Sequence, residues 1–197
     1  MHHHIPLLGL GLGAGLAIGG GLLVLILVFW IVGIYNGLVR LRTRVRAAWA
    51  QIDVQLKRRH DLIPNLVETV KGYAAHEKDT LERVITARNR AVAASGPAQS
   101  AAAENFLGGA LRQLFALSEA YPDLKANTNF QQLSEELTTT ENKISFARQH
   151  YNESVRELNE TIQVFPNVMF AGLFGFKAEE YYELEDPAAK ETPKVKF

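Results

Sequence analysis

An uncharged stretch near the N-terminus constrains this chain more than any other feature. No Asp, Glu, Lys or Arg occurs from Ile5 to Tyr35, and the most apolar part runs from Leu22 to Val32. A membrane-spanning helix needs about 20 consecutive apolar residues, so this stretch is long enough to cross a bilayer. Trp30 and Tyr35 lie near its end, where aromatic side chains anchor helices at the membrane–water interface. We therefore predict one N-terminal transmembrane helix.

The alternative interpretation of this stretch is a secretory signal peptide. Such a peptide has basic residues before a shorter apolar core and small residues at its cleavage site. Here the basic residues follow the apolar stretch, and bulky residues occupy the place where cleavage would fall. The pattern therefore favours a membrane anchor. His2, His3 and His4 are compatible with a native sequence and with an expression tag, so they carry no weight for the fold.

The charges that flank the apolar stretch predict its orientation. The residues before it contain no Lys or Arg, whereas a cluster of arginines follows it. The positive-inside rule then keeps the following chain in the cytoplasm and sends the short N-terminus outside. The arginines also fit contacts with lipid headgroups, and a solvent-facing helix surface is the alternative. They are Arg40, Arg42, Arg44 and Arg46. We expect a single-pass protein of the bacterial cytoplasmic membrane, with membrane lipid as one partner.

Glycines recur every four residues in the first half of the apolar stretch, at Gly11, Gly15 and Gly19. Small residues at this spacing let two membrane helices approach closely. One interpretation is self-association, which predicts a homo-oligomer. The other is a loose Gly-rich segment without a packing role.

Beyond residue 35 the apolar residues recur at intervals of three and four, as in helices. The first apolar stripe, from Ile34 to Ile52, continues directly from the membrane helix. We expect this helix to end in a turn at residues 61–64, because proline is tolerated in a first helical turn and disfavoured in an interior. A kink at Pro64 within one long helix is the alternative.

Three more helices are predicted after that turn. The second covers residues 64–94, the third carries Leu107 to Tyr121, and the fourth runs from about residue 128 to Phe165. No stretch alternates with a period of two, so no sheet is expected. Short connections favour antiparallel neighbours, and the stripes resemble those of coiled coils. The predicted fold class is all-α: a single N-terminal transmembrane helix followed by an antiparallel four-helix bundle with long helices.

The C-terminal part departs from this pattern. Pro166 ends the fourth helix, and residues 168–176 are too apolar to face water. This segment is expected to dock on the bundle, on another subunit or at the bilayer surface, and the first option is favoured. Its aromatic residues are Phe165, Phe170, Phe174 and Phe176. The predicted domains are 1–35 (tail and transmembrane helix), 36–165 (cytoplasmic helical bundle) and 166–197 (apolar C-terminal segment and mobile tail).

Polar residues interrupt the apolar stripes at two places. Polar side chains at helix seams are best known for fixing the register between helices, and a binding groove is the alternative. The first group surrounds the expected turn, and the second lies along the fourth helix. They are Asp53, Arg58, Asp61 and Asn65, and Glu141, Arg148 and Asn152.

The chain carries no motif for catalysis or cofactor binding. It has no Cys, no Glu with a His three residues later, no phosphate-binding P-loop and no nucleophile elbow. An enzyme would need a pocket in which His60, His76 or His150 meets carboxylates. The 21 basic and 21 acidic residues balance, whereas nucleic-acid binders usually carry a basic excess. We expect no enzymatic activity, no catalytic residue, no metal or cofactor, and no nucleic-acid partner.

Two long stretches and one short run resemble the LemA family. They are residues 35–84 (YNGLVRLRTRVRAAWAQIDVQLKRRHDLIPNLVETVKGYAAHEKDTLERV), residues 126–155 (ANTNFQQLSEELTTTENKISFARQHYNESV) and the FPNVMFAGLFGF run. The resemblance implies a short external N-terminus, one membrane helix and a cytoplasmic antiparallel four-helix bundle, with no assigned catalytic residues. The chain departs from the family's pattern in its Gly-rich lead-in and at Leu158, where an aromatic residue is expected.

Two non-enzymatic functions follow from these patterns. The first is a structural scaffold or organiser at the cytoplasmic membrane, assembled through the glycines of the membrane helix. The second is a membrane-tethered adaptor that presents the bundle to an unidentified protein partner, for example in envelope stress or proteolysis. A monomer with an exposed groove favours the adaptor.

Overall fold

All regular structure in the described part of the chain is helical. The computed structural model describes residues 6–183, with side chains described at residue 15 and from residue 18 onward. Within that range no strand occurs, so the all-α prediction is confirmed. The helices are α1 (Pro6–Lys71), α2 (Lys78–Ala93), α3 (Gly96–Ala120), α4 (Pro122–Ala126), α5 (Thr128–Thr161) and α6 (Asn167–Ala171).

The chain divides into two compact units. The first comprises Met1–Thr43 and Leu158–Ala178, and the second comprises Arg44–Glu157 and Glu179–Phe197. Helices α1 and α5 each contribute residues to both units.

The first unit contains the apolar part of α1. Consecutive large side chains from Leu22 to Val28 are between 45% and 61% exposed. Because a helix in water buries its apolar face, an apolar surface exposed on all sides requires an apolar environment. The helix also contains a segment long and apolar enough to cross a membrane. One candidate membrane helix near the N-terminus is therefore confirmed.

The core of the second unit is formed by apolar residues from several helices. Ile63 and Leu66 of α1, Val84 of α2 and Leu107 of α3 are fully buried in one cluster, which Leu137 of α5 also joins. These residues lie on the stripes with intervals of three and four, so each helix presents one apolar face to this core. The same stripes determine which polar residues become buried.

The expected turn at residues 61–64 is wrong, because α1 continues through Pro64 to Lys71. Proline lacks an N–H, so the carbonyl of His60, four residues earlier, loses its partner within the helix. Arg88 of α2 replaces that partner: its Nε donates a hydrogen bond to the His60 carbonyl at 3.0 Å. The helix therefore passes through the proline without leaving this acceptor unpaired, and the next helix begins at Lys78 rather than at residue 64.

We expect Arg88→Gln to lower the free energy of unfolding by about 1–3 kcal/mol, the usual cost of leaving a buried acceptor unpaired. In a Pro64→Ala background residue 64 regains its N–H, so the same change is expected to cost less. Chemical denaturation of the full chain in detergent, followed by circular dichroism, measures all four members of this double-mutant cycle.

Arg83→Gln is the matched control, because Arg83 also lies on α2 but makes an exposed contact with Gln113 of α3. It is expected to change stability by no more than about 0.5 kcal/mol. An equal cost of Arg88→Gln in both backgrounds would show that Arg88 does not compensate for the proline.

Candidate functional site

A buried charged network lies inside the second unit. Arg59 Nη1 lies 3.2 Å from Glu104 Oε2 and 2.8 Å from Glu141 Oε2. His60 Nε2 hydrogen-bonds the other carboxylate oxygen of Glu104. The Glu104 side chain is 4% exposed and those of Arg59 and His60 are 9% exposed. Arg59, His60 and Glu104 are thus buried and each has a partner, as burial of charged and polar groups requires, and the half-exposed Glu141 of α5 completes the connected set. This charged network consists of Arg59, His60, Glu104 and Glu141.

The helical spacing explains why these polar residues are buried. Arg59 and His60 lie between Leu56 and Ile63 on the buried stripe of α1, and Glu104 precedes Leu107 on that of α3. Positions three and four residues apart share one helix face, so the core-facing side of each helix includes these polar residues. Their mutual pairing then offsets the loss of water.

A cavity of about 350 Å³ opens beside the charged network. Its walls include Arg59, Glu104 and Glu141 of the network, whereas His60 does not line it. Other polar and aromatic residues complete the wall from α3, α5 and the segment after α6. Among them are Arg112, Phe115, Asn142, Arg148 and Tyr182.

Residues 180–183, here called the C-terminal strap, carry Tyr182 into this wall. The backbone N–H of Tyr182 donates to Asn152 Oδ1 at 2.9 Å, and Asn152 Nδ2 donates to the Tyr182 carbonyl at 3.1 Å. The Tyr151 hydroxyl donates to the Glu180 carbonyl at 2.8 Å, and the Trp49 ring lies against both tyrosines. The strap is therefore fixed to α5 although it has no regular secondary structure. The rest of the predicted mobile tail, residues 184–197, lies outside the described residues.

Burial makes two tyrosines weaker acids than usual. It raises the pKa of Tyr151 to about 12, and the carboxylates of Glu179 and Glu180 act in the same direction. Burial also raises the pKa of Tyr182, with Glu104 and Glu141 adding to the effect and Arg148 and Arg59 opposing it. Both hydroxyls therefore remain protonated at neutral pH, and each can donate a hydrogen bond, as that of Tyr151 does.

Aromatic side chains of α1 and of the C-terminal segment contact one another in the first unit. Tyr35 lies 5.2 Å from Phe174 and 6.0 Å from Phe176 between ring centroids, and Trp30 lies 6.1 Å from Phe170. The guanidinium carbon of Arg42 is 4.7 Å from the centre of the Phe176 ring, within cation–π range. These five aromatic residues, the aromatic collar, join the end of the apolar stretch to the C-terminal segment. Four large neighbours remain at least half exposed: Phe165, Val168, Met169 and Leu173.

The predicted polar residues have different surroundings. Asp53, Asp61 and Asn65 are exposed, and Arg58 forms an exposed ion pair with Glu136. The second predicted group lies at the cavity and the strap, where Glu141 contacts Arg59, Arg148 lies over the Tyr182 ring and Asn152 binds the strap backbone.

The remaining predicted residues lie on α1. Arg40 and Arg46 are exposed, and Arg44 pairs with Glu157. Around Gly15 and Gly19 no described atom other than the neighbouring backbone of α1 lies within 4 Å of where a Cβ would stand. The surroundings of Gly11 lie outside the described side chains.

The family model of the LemA family matches residues 48–197, which include the network, the cavity wall and most of the helical part. The chain belongs to the LemA family. This confirms the resemblance found in the sequence.

Curated relatives of this LemA-family chain agree with that assignment. Magnetosome protein MamQ of Magnetospirillum gryphiswaldense is 28% identical over 185 residues, covering 81% of this chain and 67% of MamQ. Magnetosome protein MamQ 2 of Paramagnetospirillum magneticum is 27% identical over the same length. Protein LemA of Metamycoplasma hominis is 28% identical over 141 residues, covering 70% of this chain and 63% of that protein.

Sequence reasoning did not anticipate Glu104 and Tyr182. The signal for Glu104 was its position on the apolar stripe of α3, whereas nothing local marks Tyr182, which is buried by contacts with distant residues. His60 meets a carboxylate, as an enzyme would require, but it does not line the cavity of this LemA-family chain. His76 and His150 are exposed, and no group of three or more metal-ligating side chains occurs among the described residues.

We expect Glu104→Gln to be far more destabilising than Glu141→Gln. Loss of the Glu104 charge leaves Arg59 and His60 without their shared buried partner, which typically costs about 3–5 kcal/mol. Glu141 is half exposed, so the same substitution there is expected to cost less than about 1 kcal/mol. Denaturant unfolding of the two variants in parallel measures the difference, and similar losses would contradict a role for burial in this network.

Tyr151 is expected to make stability depend on alkaline pH. Its folded pKa lies above the unfolded value of 10.0, so the contribution is complete below pH 10 and is lost as the pH rises towards 12. The absorbance difference at 295 nm between wild type and Tyr151→Phe is expected to titrate near pH 12 in the folded protein and near pH 10 in denaturant. A folded-state midpoint near 10 would contradict the burial of this hydroxyl.

Proposed function

We propose that this LemA-family chain is a non-enzymatic, membrane-anchored helical-bundle protein that self-associates and acts as a structural scaffold or organiser. The observation that carries the proposal is the exposed apolar surface of α1 from Leu22 to Val32. Water excludes such a surface, whereas a helix satisfies its own backbone hydrogen bonds inside a bilayer. Membrane lipid and a second copy of the chain are the proposed partners, without nucleic acid. MamQ is named as a magnetosome protein, which is compatible with an organising role.

An antiparallel arrangement of the long helices is part of this proposal. Contacts between α1 and α5 support it, because Arg44 pairs with Glu157, Trp49 with Tyr151 and Arg58 with Glu136. Residue numbers thus rise along one helix as they fall along the other. Helices α2 and α3 follow the same rule, with Arg83 beside Gln113 and Arg90 over Phe106. These pairs favour an antiparallel four-helix bundle.

The proposed location is the cytoplasmic membrane, with a single pass, an external N-terminus and the second unit in the cytoplasm. The arginines that follow the apolar stretch support this orientation through the positive-inside rule. The aromatic collar supports it too, because Trp and Tyr are enriched at the depth of the headgroups. Met169 and Leu173, 64% and 78% exposed, supply apolar surface in the same unit that a bilayer would cover.

The glycines of α1 are the proposed self-association surface. A Cβ at Gly15 or Gly19 would meet no described atom within 4 Å apart from the neighbouring backbone of α1, so a second helix has room to approach there. Close helix approach is the means by which small residues drive association in lipid, where burial of apolar surface gives no advantage.

The test is the mass of the full chain in mild detergent, measured by light scattering after size exclusion. Wild type is expected to form a defined oligomer, and both a version lacking residues 1–34 and Gly15→Leu/Gly19→Leu are expected to be smaller. Gly13→Leu/Gly20→Leu is the matched control, since these positions lie about 140–160° around the helix from Gly15. This control is expected to keep the wild-type mass. A monomeric wild type would rule out the scaffold.

A second candidate function is a membrane-tethered adaptor for an unidentified protein, and one feature favours it. Val54 of α1 and Phe146 of α5, 62% and 73% exposed, line an open groove that His150 also borders. If wild type is monomeric, a photoreactive phenylalanine at position 146 in living cells distinguishes the two functions. A crosslinked product of twice the chain mass supports self-association, and a product of another mass supports an adaptor.

A further inference from the structure

The cavity beside the charged network is lined by positive charges that are not paired within the network. The two glutamates that line the cavity, Glu104 and Glu141, already contact Arg59. Arg112 and Arg148 also line the cavity, and no ion pair joins either of them to a described residue. The lining therefore comprises three arginines and two glutamates, which leaves an excess of one positive charge.

Tyr182 adds a hydrogen-bond donor without an acceptor. It lines the same cavity, only 2% of its surface is exposed, and its buried hydroxyl has no hydrogen-bond partner among the described residues. Folded proteins rarely leave a buried hydroxyl unpaired, because the lost bond to water is not replaced. A bound group that accepts a hydrogen bond would replace it.

Three groups in the cavity wall can donate hydrogen bonds to a bound molecule. Arg112, Arg148 and the protonated Tyr182 hydroxyl are all donors, and the guanidinium carbon of Arg148 is 5.8 Å from the centre of the Tyr182 ring. A guanidinium group presents a planar fork of N–H donors that fits the oxygens of a carboxylate or a phosphate. A cation or an apolar molecule would leave the buried Tyr182 hydroxyl without an acceptor and would give the two guanidinium groups no anionic partner.

We propose that this cavity binds a small oxyanion, a carboxylate or a phosphate, held by Arg112, Arg148 and the Tyr182 hydroxyl. The volume of about 350 Å³ lies at the lower end of the range of small-molecule sites, so it suits a compact anionic group. That group is either a free small anion or the headgroup phosphate of a phospholipid. The charged network then has a second role, because Arg59 pairs with Glu104 and Glu141 and so weakens their repulsion of the anion.

The first experiment titrates the full chain, in a detergent with an uncharged headgroup, with inorganic phosphate and with succinate. Saturable binding by calorimetry and a rise in Tm with ligand concentration are expected. Arg148→Gln is expected to weaken binding about tenfold, the usual effect of losing one charge-assisted hydrogen bond. Arg58→Gln is the matched control, because it removes the same charge one residue from Arg59 but outside the cavity. It is expected to leave the affinity within about twofold of wild type.

Tyr182→Phe separates binding from folding. It removes one oxygen atom and retains the buried ring, so the Tm of the ligand-free protein is expected to stay unchanged or to rise. Affinity for the same anion is expected to fall about three- to tenfold, because the bound oxyanion loses one donor. A purely structural tyrosine would instead leave anion affinity unchanged.

Native mass spectrometry of protein extracted from phosphatidylglycerol bilayers distinguishes the two sources. Phospholipid retained by wild type, lost in Arg148→Gln and displaced by phosphate would identify a headgroup. Binding of free phosphate or succinate without retained lipid would identify a soluble anion. The proposal is overturned if none of these probes binds saturably, or if Arg58→Gln weakens binding as much as Arg148→Gln does.

Discussion

One replaced hydrogen bond allows α1 to reach the core of the second unit as a continuous helix. Pro64 cannot donate to the carbonyl of His60, and the side chain of Arg88 donates in its place. Because the helix continues, Arg59 and His60 remain in register with Ile63, Leu66 and Val70 on one buried face. The charged network and the cavity wall therefore both depend on a contact between α1 and α2 that compensates for a missing backbone N–H.

The charged network fixes the register between the helices more than it raises the free energy of unfolding. Removing charges from water is costly, and a buried ion pair often does no better than apolar residues of similar volume. Arg59 nevertheless joins α1 to Glu104 of α3 and to Glu141 of α5, at positions where a shift of either helix would leave a charge unpaired. An apolar core tolerates small sliding movements, whereas this network penalises them. The network accordingly suits long helices, whose apolar stripes are compatible with several registers.

The sequence predicted the candidate membrane helix, the helical class and the family, because each depends on patterns spread over many neighbouring residues. The prediction of a turn at Pro64 was wrong, because Arg88, which compensates for this proline, lies 24 positions later on another helix. Asp53, Asp61 and Asn65 were grouped around the expected turn, and without that turn they lie on the exposed surface of α1. Glu104 carried a weak signal in its helical spacing. Tyr182 carried none, because its burial depends on Trp49 and Asn152, which are far away in the chain.

The C-terminal strap also has a consequence for the order of biosynthesis. Tyr182 follows every other residue of the cavity wall in the chain, and the ribosome makes it after α1, α3 and α5. During translation the growing chain therefore exposes an incomplete wall, in which Trp49 and Asn152 lack their final partner. Any ligand that needs the finished wall can occupy it only after synthesis has passed this point. Occupancy of the cavity would thus distinguish full-length molecules from truncated ones.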